Sequence, residues 1–220
     1  MIIAIDGPAA SGKSTTAIGV AKRLGITYLD TGAMYRAVTL GLLEDNIEFE
    51  DLSGVEKFLE KIDIKFSESP NGMLLLLNGC DITKEIRSAI VTSNASEVSA
   101  MKIVREHMVL IQRKMAKFDD CVLEGRDIGT VVFPNANFKF FLIADQTIRA
   151  ERRLEDLKAI GESSSIDDVM INLKNRDHKD SNRVHSPLKK SADAIIIDTS
   201  NFGINEVVDK IVNIVNHKGH

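Results

Sequence analysis

Hydrophobic positions come in short blocks along this chain, separated by stretches with helical spacing. Ile2 to Ile5 form a continuous apolar run closed by Asp6, the pattern of a strand buried on both faces. Ala17, Val20, Ala21 and Leu24 then recur at helical spacing, and Gly25 stands where a left-handed helix end would fall. Further apolar runs at Cys121 to Leu123, Phe138 to Ala144 and Ala194 to Ile197 each give way to polar or charged residues. Helical periodicity fills the gaps: Met34 to Leu43, one long stretch near Ser93 to Lys117, Gln146 to Ile160, Ile166 to Asp177, and Glu206 to Val215. Such alternation predicts an α/β fold with a parallel sheet covered by helices on both faces and ligands bound beyond the carboxyl ends of its strands.

Two segments depart from this rhythm. Ile62 to Phe66 and Met73 to Leu77 read as β-strands around a Pro-Asn-Gly turn, and Asn78-Gly79 follows as a second turn signal, so a small antiparallel insertion is expected. The run AIGESSSIDD is rich in Gly and Ser between two helical patterns. It reads either as a mobile cover or as an ordinary helix–helix loop.

The polar residues that close the first apolar run carry the sharpest chemical signal. Gly7, Gly12, Lys13 and Ser14 complete G-x-x-x-x-G-K-[ST] between a strand and a helix, the pattern of a phosphate loop. Small residues let backbone N–H groups converge on a polyphosphate, and the helix start adds unpaired N–H groups and a positive dipole end. Lys13 would reach the β- and γ-phosphates, and the Ser14 hydroxyl would ligate Mg²⁺.

Bulk properties narrow the class. A length of 220 residues favours one domain, and a net charge of -4 argues against a general binder of nucleic acid polymers. The longest aliphatic stretches are too short to cross a bilayer, and neither a basic segment nor a long apolar one precedes Asp6, so no signal peptide and no membrane anchoring are expected. Cys80 and Cys121 lack metal or redox spacing and read as free, buried thiols of a cytoplasmic protein. The closing NHKGH reads as a frayed tail.

A phosphate loop alone fits a switch GTPase, a motor ATPase or a small-molecule kinase. No N-K-x-D guanine motif exists, and the D-x-x-G match at Asp51 to Gly54 lies in a polar stretch. Arginines instead crowd the strand ends and helix starts, among them Arg36, Arg105, Arg126, Arg149, Arg153, Arg176 and Arg183. Guanidinium groups hold a second polyanion in bidentate geometry, as phosphoryl transfer between two anions requires. Surface charge is the plainer reading for Arg87 and Arg152.

The segments IDGPAASGKST, LDTGAMYRA, EGRDIGTVVFP, IRAERR and NRDHKDSNRVHSPLKKSADAIIIDTS, in this order over nearly the whole chain, closely resemble the bacterial type of cytidylate kinase, a phosphate-loop nucleoside monophosphate kinase. The resemblance implies one kinase domain over residues 1–220, of the three-layer phosphate-loop fold with a five-stranded parallel sheet. It also implies an antiparallel β insertion at about 62–85 in the monophosphate-binding part and a short lid at about 153–168. It implies ATP as donor with Mg²⁺, CMP and dCMP as acceptors, and a monomer. By position, Gly7, Pro8, Ala9, Ala10, Ser11, Gly12, Lys13, Ser14 and Thr15 would hold the donor, with Arg149 and Arg153 beneath the lid. Ser96, Arg105, Asp127 and Arg183 would face cytosine, Thr31, Asp180 and Arg176 the ribose, and Tyr35, Arg36 and Arg126 the acceptor nucleotide, the two arginines on its phosphate. Lys13, Arg126, Arg153 and Arg176 would carry catalysis. A carboxylate at Asp127 accepts from the exocyclic amino group of cytosine and meets only an acceptor oxygen on uracil, so CMP should be preferred over UMP. Glu124 stands where the family usually has aspartate, and no metal role is assigned to it; Thr31 replaces a frequent serine and keeps the hydroxyl. Another acceptor, such as UMP or shikimate, and a nucleotide-binding switch without an acceptor remain the competing readings.

Overall fold

The computed structural model describes residues 1–70, 72–117, 119–159 and 161–218. Its parallel sheet is built from β1 (Ile2–Asp6), β2 (Thr27–Asp30), β6 (Cys121–Gly125), β7 (Phe138–Ile143) and β8 (Ile195–Asp198), in the order β2-β6-β1-β7-β8. β1 lies at the centre because its apolar run has no exposed face: Ile3, Ala4 and Ile5 are fully buried, with β6 and β7 paired in parallel on either side. The antiparallel sheet comprises β3 (Ile64–Ser69), β4 (Gly72–Leu77) and β5 (Cys80–Asp81). Asn78 and Gly79 both take positive φ in the two-residue turn from β4 to β5, which matches the twist of the strands. Of the predicted Pro-Asn-Gly turn, Asn71 lies outside the described residues, as do Ile160 and the last two residues of the tail.

Eight α-helices are described: α1 (Lys13–Leu24), α2 (Thr31–Glu44), α3 (Leu52–Leu59), α4 (Ala89–Val98), α5 (Lys102–Met115), α6 (Gln146–Ala159), α7 (Ile166–Asn182) and α8 (Ile204–Lys218). Gly25 ends α1 in the left-handed conformation, φ 68°, as its position in the pattern predicts. The long helix expected near Ser93 to Lys117 is two helices, α4 and α5, broken at 99–101. The Ser99 hydroxyl donates to Ser96 O and Arg105 Nη1 donates to Ser99 O at 2.9 Å, so local polar bonds replace the helical ones there. α3 and β2 have no counterpart among the elements the pattern predicts. Asp51, half of the D-x-x-G match, caps α3 by accepting from Gly54 N at 3.0 Å, a structural use for that motif.

The chain divides into two compact units, Met1–Leu29 with Ala116–His220, and Asp30–Met115. The first has its core in Ile3, Ile5, Val20, Phe140, Leu142, Ile197 and Ile211, where α1 and α8 pack on the sheet. The core of the second joins Met34, Val38 and Leu42 of α2 to Phe58, Leu75, Ile86, Val91 and Met108. Cys121 is buried, and burial pushes its thiol up to about 11. Cys80 is exposed, contrary to expectation, because β5 is a two-residue edge strand with both side chains in solvent.

Candidate active site

The loop from Gly7 to Gly12 leaves the carboxyl end of β1 and turns into α1. A Cβ at Gly7 would lie 2.2 Å from Leu142 O, so only glycine lets the loop start this close to β7. Ala10 and Gly12 both have positive φ, 57° and 85°, the first rare for a residue with a side chain. Lys13 is 5% exposed and its Nζ donates back to Pro8 O at 2.6 Å and to Ser11 Oγ at 3.5 Å. Burial, and then the positive charge of Arg126, push the lysine down to about 7 against the opposing pull of Glu124 and Asp6. Ser14 and Thr15, in the first turn, are exposed.

Asp6 has no place in the phosphate-loop motif, yet its carboxylate is buried. Its two oxygens accept from Ile128 N at 2.9 Å and Gly129 N at 2.8 Å. Burial raises its pKa to about 6 despite those two bonds. The contact fixes the π-helical turn Ile128–Val132 that follows Arg126 and Asp127. Arg126 Nε donates to Asp180 Oδ2 at 2.8 Å, and Arg183 Nη2 to Asp127 Oδ1 at 3.4 Å. Burial works against the Asp180 carboxylate, but Arg126, Arg176 and Arg183 together hold it below the usual carboxylate range. The sequence-predicted Arg126, Asp127, Arg176, Asp180 and Arg183 are thus gathered in the first unit, at the end of β6 and along the last turns of α7. α7 runs five residues past the pattern that announced it, to Asn182, which puts Arg176 and Asp180 on one helical face.

The second unit holds the predicted Thr31, Tyr35, Arg36, Ser96 and Arg105. The Asp30 side chain caps α2, accepting from Ala33 N at 2.7 Å, and pairs with Arg36 at 3.3 Å. Thr31 and Tyr35 are buried on the same helix. The Arg105 guanidinium lies 5.1 Å from the Tyr35 ring centroid, a cation–π contact, and donates to Ser99 O just past α4; Ser96 lies in the last turn of α4, its carbonyl accepting from the Ser99 hydroxyl.

Around the loop, the expected Arg149 is joined by three side chains that sequence reasoning missed, Asp177, Arg152 and Thr199. Arg149, on α6, donates from Nη1 to Ala9 O at 3.1 Å and pairs with Asp177. Asp177 in turn accepts from Ala9 N at 3.2 Å. Arg152 is not a solvated surface charge: it donates to Thr199 Oγ1 at 3.0 Å and Thr199 O at 2.7 Å, and Thr199 Oγ1 donates to Ser11 O. A Cβ on Gly12 would lie 3.7 Å from Arg152 Nη1. Spacing offered one signal, since Arg149, Arg152 and Arg153 lie within about one turn of each other. Arg153 is half-buried on α6. Glu124 accepts from the Tyr28 hydroxyl at 2.7 Å.

Comparison with known proteins bears on this arrangement. The sequence profile of the family described as cytidylate kinase matches residues 3–217. A cytidylate kinase of Clostridium botulinum, strain Langeland, is 47% identical over 97% of this chain and 96% of its own length. One from Carboxydothermus hydrogenoformans is 47% identical over 99% of this chain and 98% of its own. Among solved structures, shikimate kinase from Bacteroides thetaiotaomicron is similar in fold, with a TM-score of 0.50 and 13% identity over 98% of each chain.

Proposed function

The chain belongs to the cytidylate kinase family, and from that premise we propose that it transfers the γ-phosphoryl group of ATP to CMP and dCMP, yielding CDP and dCDP. The observation that carries the reading is the buried pair of carboxylates Asp127 and Asp180, each held by an arginine, in the unit that also carries the phosphate loop. The loop residues Gly7 to Thr15 bind the donor, with Lys13 on its β- and γ-phosphates. Arg149 acts on the same side by holding the loop through Ala9 O, and Arg153 acts on the donor itself. Arg36 and Arg126 hold the acceptor phosphate, and Thr31, Asp180 and Arg176 the ribose. Ser96, Arg105, Asp127 and Arg183 read cytosine, with Tyr35 stacked under Arg105.

Each step is electrostatic. An anionic acceptor phosphate needs no base, so the chain's own task is to align two anions and stabilise the charge spread over the transferring group. Lys13, Arg126, Arg153 and Arg176 supply that positive charge; a segment near 153–168 that closes over the donor would exclude water as a rival acceptor. Mg²⁺ on the donor phosphates neutralises charge when bound, and the exposed Ser14 hydroxyl in the first turn of α1 is a hard-oxygen ligand suited to it. No helix among the described residues is long and apolar enough to cross a membrane; the reading places the chain in the cytoplasm as a monomer acting on small nucleotides.

The test is transfer of label from γ-labelled ATP, with Mg²⁺, to CMP, dCMP, UMP and shikimate. Label should appear in CDP and dCDP. Label in UDP or shikimate phosphate with CMP inert would overturn the reading, as would slow release of inorganic phosphate indifferent to every acceptor.

A further inference from the structure

Ala9, at the apex of the phosphate loop, has both of its backbone groups engaged by side chains from elsewhere in the unit. Its N–H donates to Asp177 Oδ1 at 3.2 Å, and its C=O accepts from Arg149 Nη1 at 3.1 Å. The same Arg149 nitrogen donates to Asp177 Oδ2, which closes a ring of three groups around one peptide. The ring is sheltered: Arg149 is 9% exposed, and Ala9 packs against Ala150, Val169 and Leu173 of α6 and α7. Next in the chain, Ala10 is held at φ 57°, a left-handed conformation that is rare for a residue with a side chain and persists only where the surroundings impose it. Asp177 itself sits one residue after Arg176 and three before Asp180 on α7, so one helix carries both the loop contact and the two residues assigned to the acceptor.

We infer that Asp177 is a positioning residue: with Arg149 it fixes the Ala9 peptide so that the loop stands ready for a triphosphate, and it ties that loop to α7. The inference rests on the reading of the loop as the ATP site. Without the carboxylate, Ala10 can relax to negative φ and the loop must be rebuilt at each binding event, which weakens ATP without touching the groups that meet it. An aspartate in this place also neutralises Arg149, whose charge is then directed to the loop carbonyl and not to a nucleotide phosphate.

Calorimetric titration of ATP with Mg²⁺, and separately of CMP, into the full chain tests this, alongside melting curves without nucleotide. Asp177→Asn keeps an acceptor for Ala9 N–H but sets an NH₂ group against Arg149; ATP affinity should fall about tenfold, with CMP affinity changed by less than about twofold. Arg149→Lys keeps the carboxylate and its bond to Ala9, and should weaken ATP several-fold by the same route, which covers the case that the first variant folds poorly. An ATP affinity within about twofold of the parent in both variants would overturn the inference. So would parallel loss of ATP and CMP binding, the mark of general loosening. A parent chain that binds ATP but not CMP would sink the acceptor assignment alone, and the ATP arm, read against the melting curves, still decides the role of Asp177. A parent that binds no ATP sinks both.

Discussion

Lys13 is the residue where sequence and environment meet most directly. The motif announces a lysine for phosphates, but the folded surroundings bury it beside Arg126 and push its pKa down to about 7. The sign of the consequence is fixed: a free chain whose lysine titrates near 7 is mostly deprotonated there at pH 8, and a bound triphosphate restores the proton. ATP binding at pH 8 should therefore take up close to one proton, measured as the dependence of binding enthalpy on the ionisation enthalpy of the buffer; a buffer-independent enthalpy would contradict it. Lys13→Ala should lower turnover by about a hundredfold or more with the melting curve preserved, and near-normal turnover would remove the lysine from the mechanism. Asp127→Ala should shrink the preference for CMP over UMP by about tenfold, because a charged hydrogen bond to the base is worth about 1.5–3 kcal/mol. An unchanged preference would exclude Asp127 from base reading. The motif residues of this site were legible in the sequence because their spacing is dictated by phosphate geometry. Asp6, Asp177 and Thr199 were not, since each serves through a fold-level contact to backbone groups that only the sheet and α7 bring near.

At the scale of elements, the buried parallel strands could be read from apolar runs, while short or edge elements escaped. β2 has four residues, only one of them buried, too little pattern to announce a strand. α3 did carry a signal in Leu52, Val55, Phe58 and Leu59 behind an Asp51 cap, masked by the resemblance of that cap to a nucleotide motif. The α4–α5 break was invisible because helical spacing of apolar residues continues across it. α2 depends on a glycine within its span: a Cβ at Gly41 would lie 2.3 Å from Phe58 Cζ, where α2 and α3 pack. Gly41→Ala gains about 1 kcal/mol of helix propensity and should still lose stability, by a net of about 1–2 kcal/mol, because overpacking costs more. A melting midpoint lowered by about 2–8 °C is expected, restored in part by Phe58→Leu. A raised midpoint would show that the ring moves aside freely.

Across the whole molecule, one unit carries the phosphate loop with Arg126, Asp127, Arg176, Asp180 and Arg183, and the other carries Thr31, Tyr35, Arg36, Ser96 and Arg105. The fold class was legible from alternation alone. The acceptor was not, because composition and periodicity are the same for kinases of many small molecules; only the segments around Arg36, Arg126 and Arg176 narrowed it, through likeness to one family. The similarity in fold to a shikimate kinase at 13% identity makes the same point, since one architecture accommodates different acceptors. The most direct measurement is therefore the ratio of kcat/KM for CMP to that for UMP, with ATP and Mg²⁺ held fixed. The account predicts a ratio well above ten for the parent chain; a ratio near or below one would contradict it.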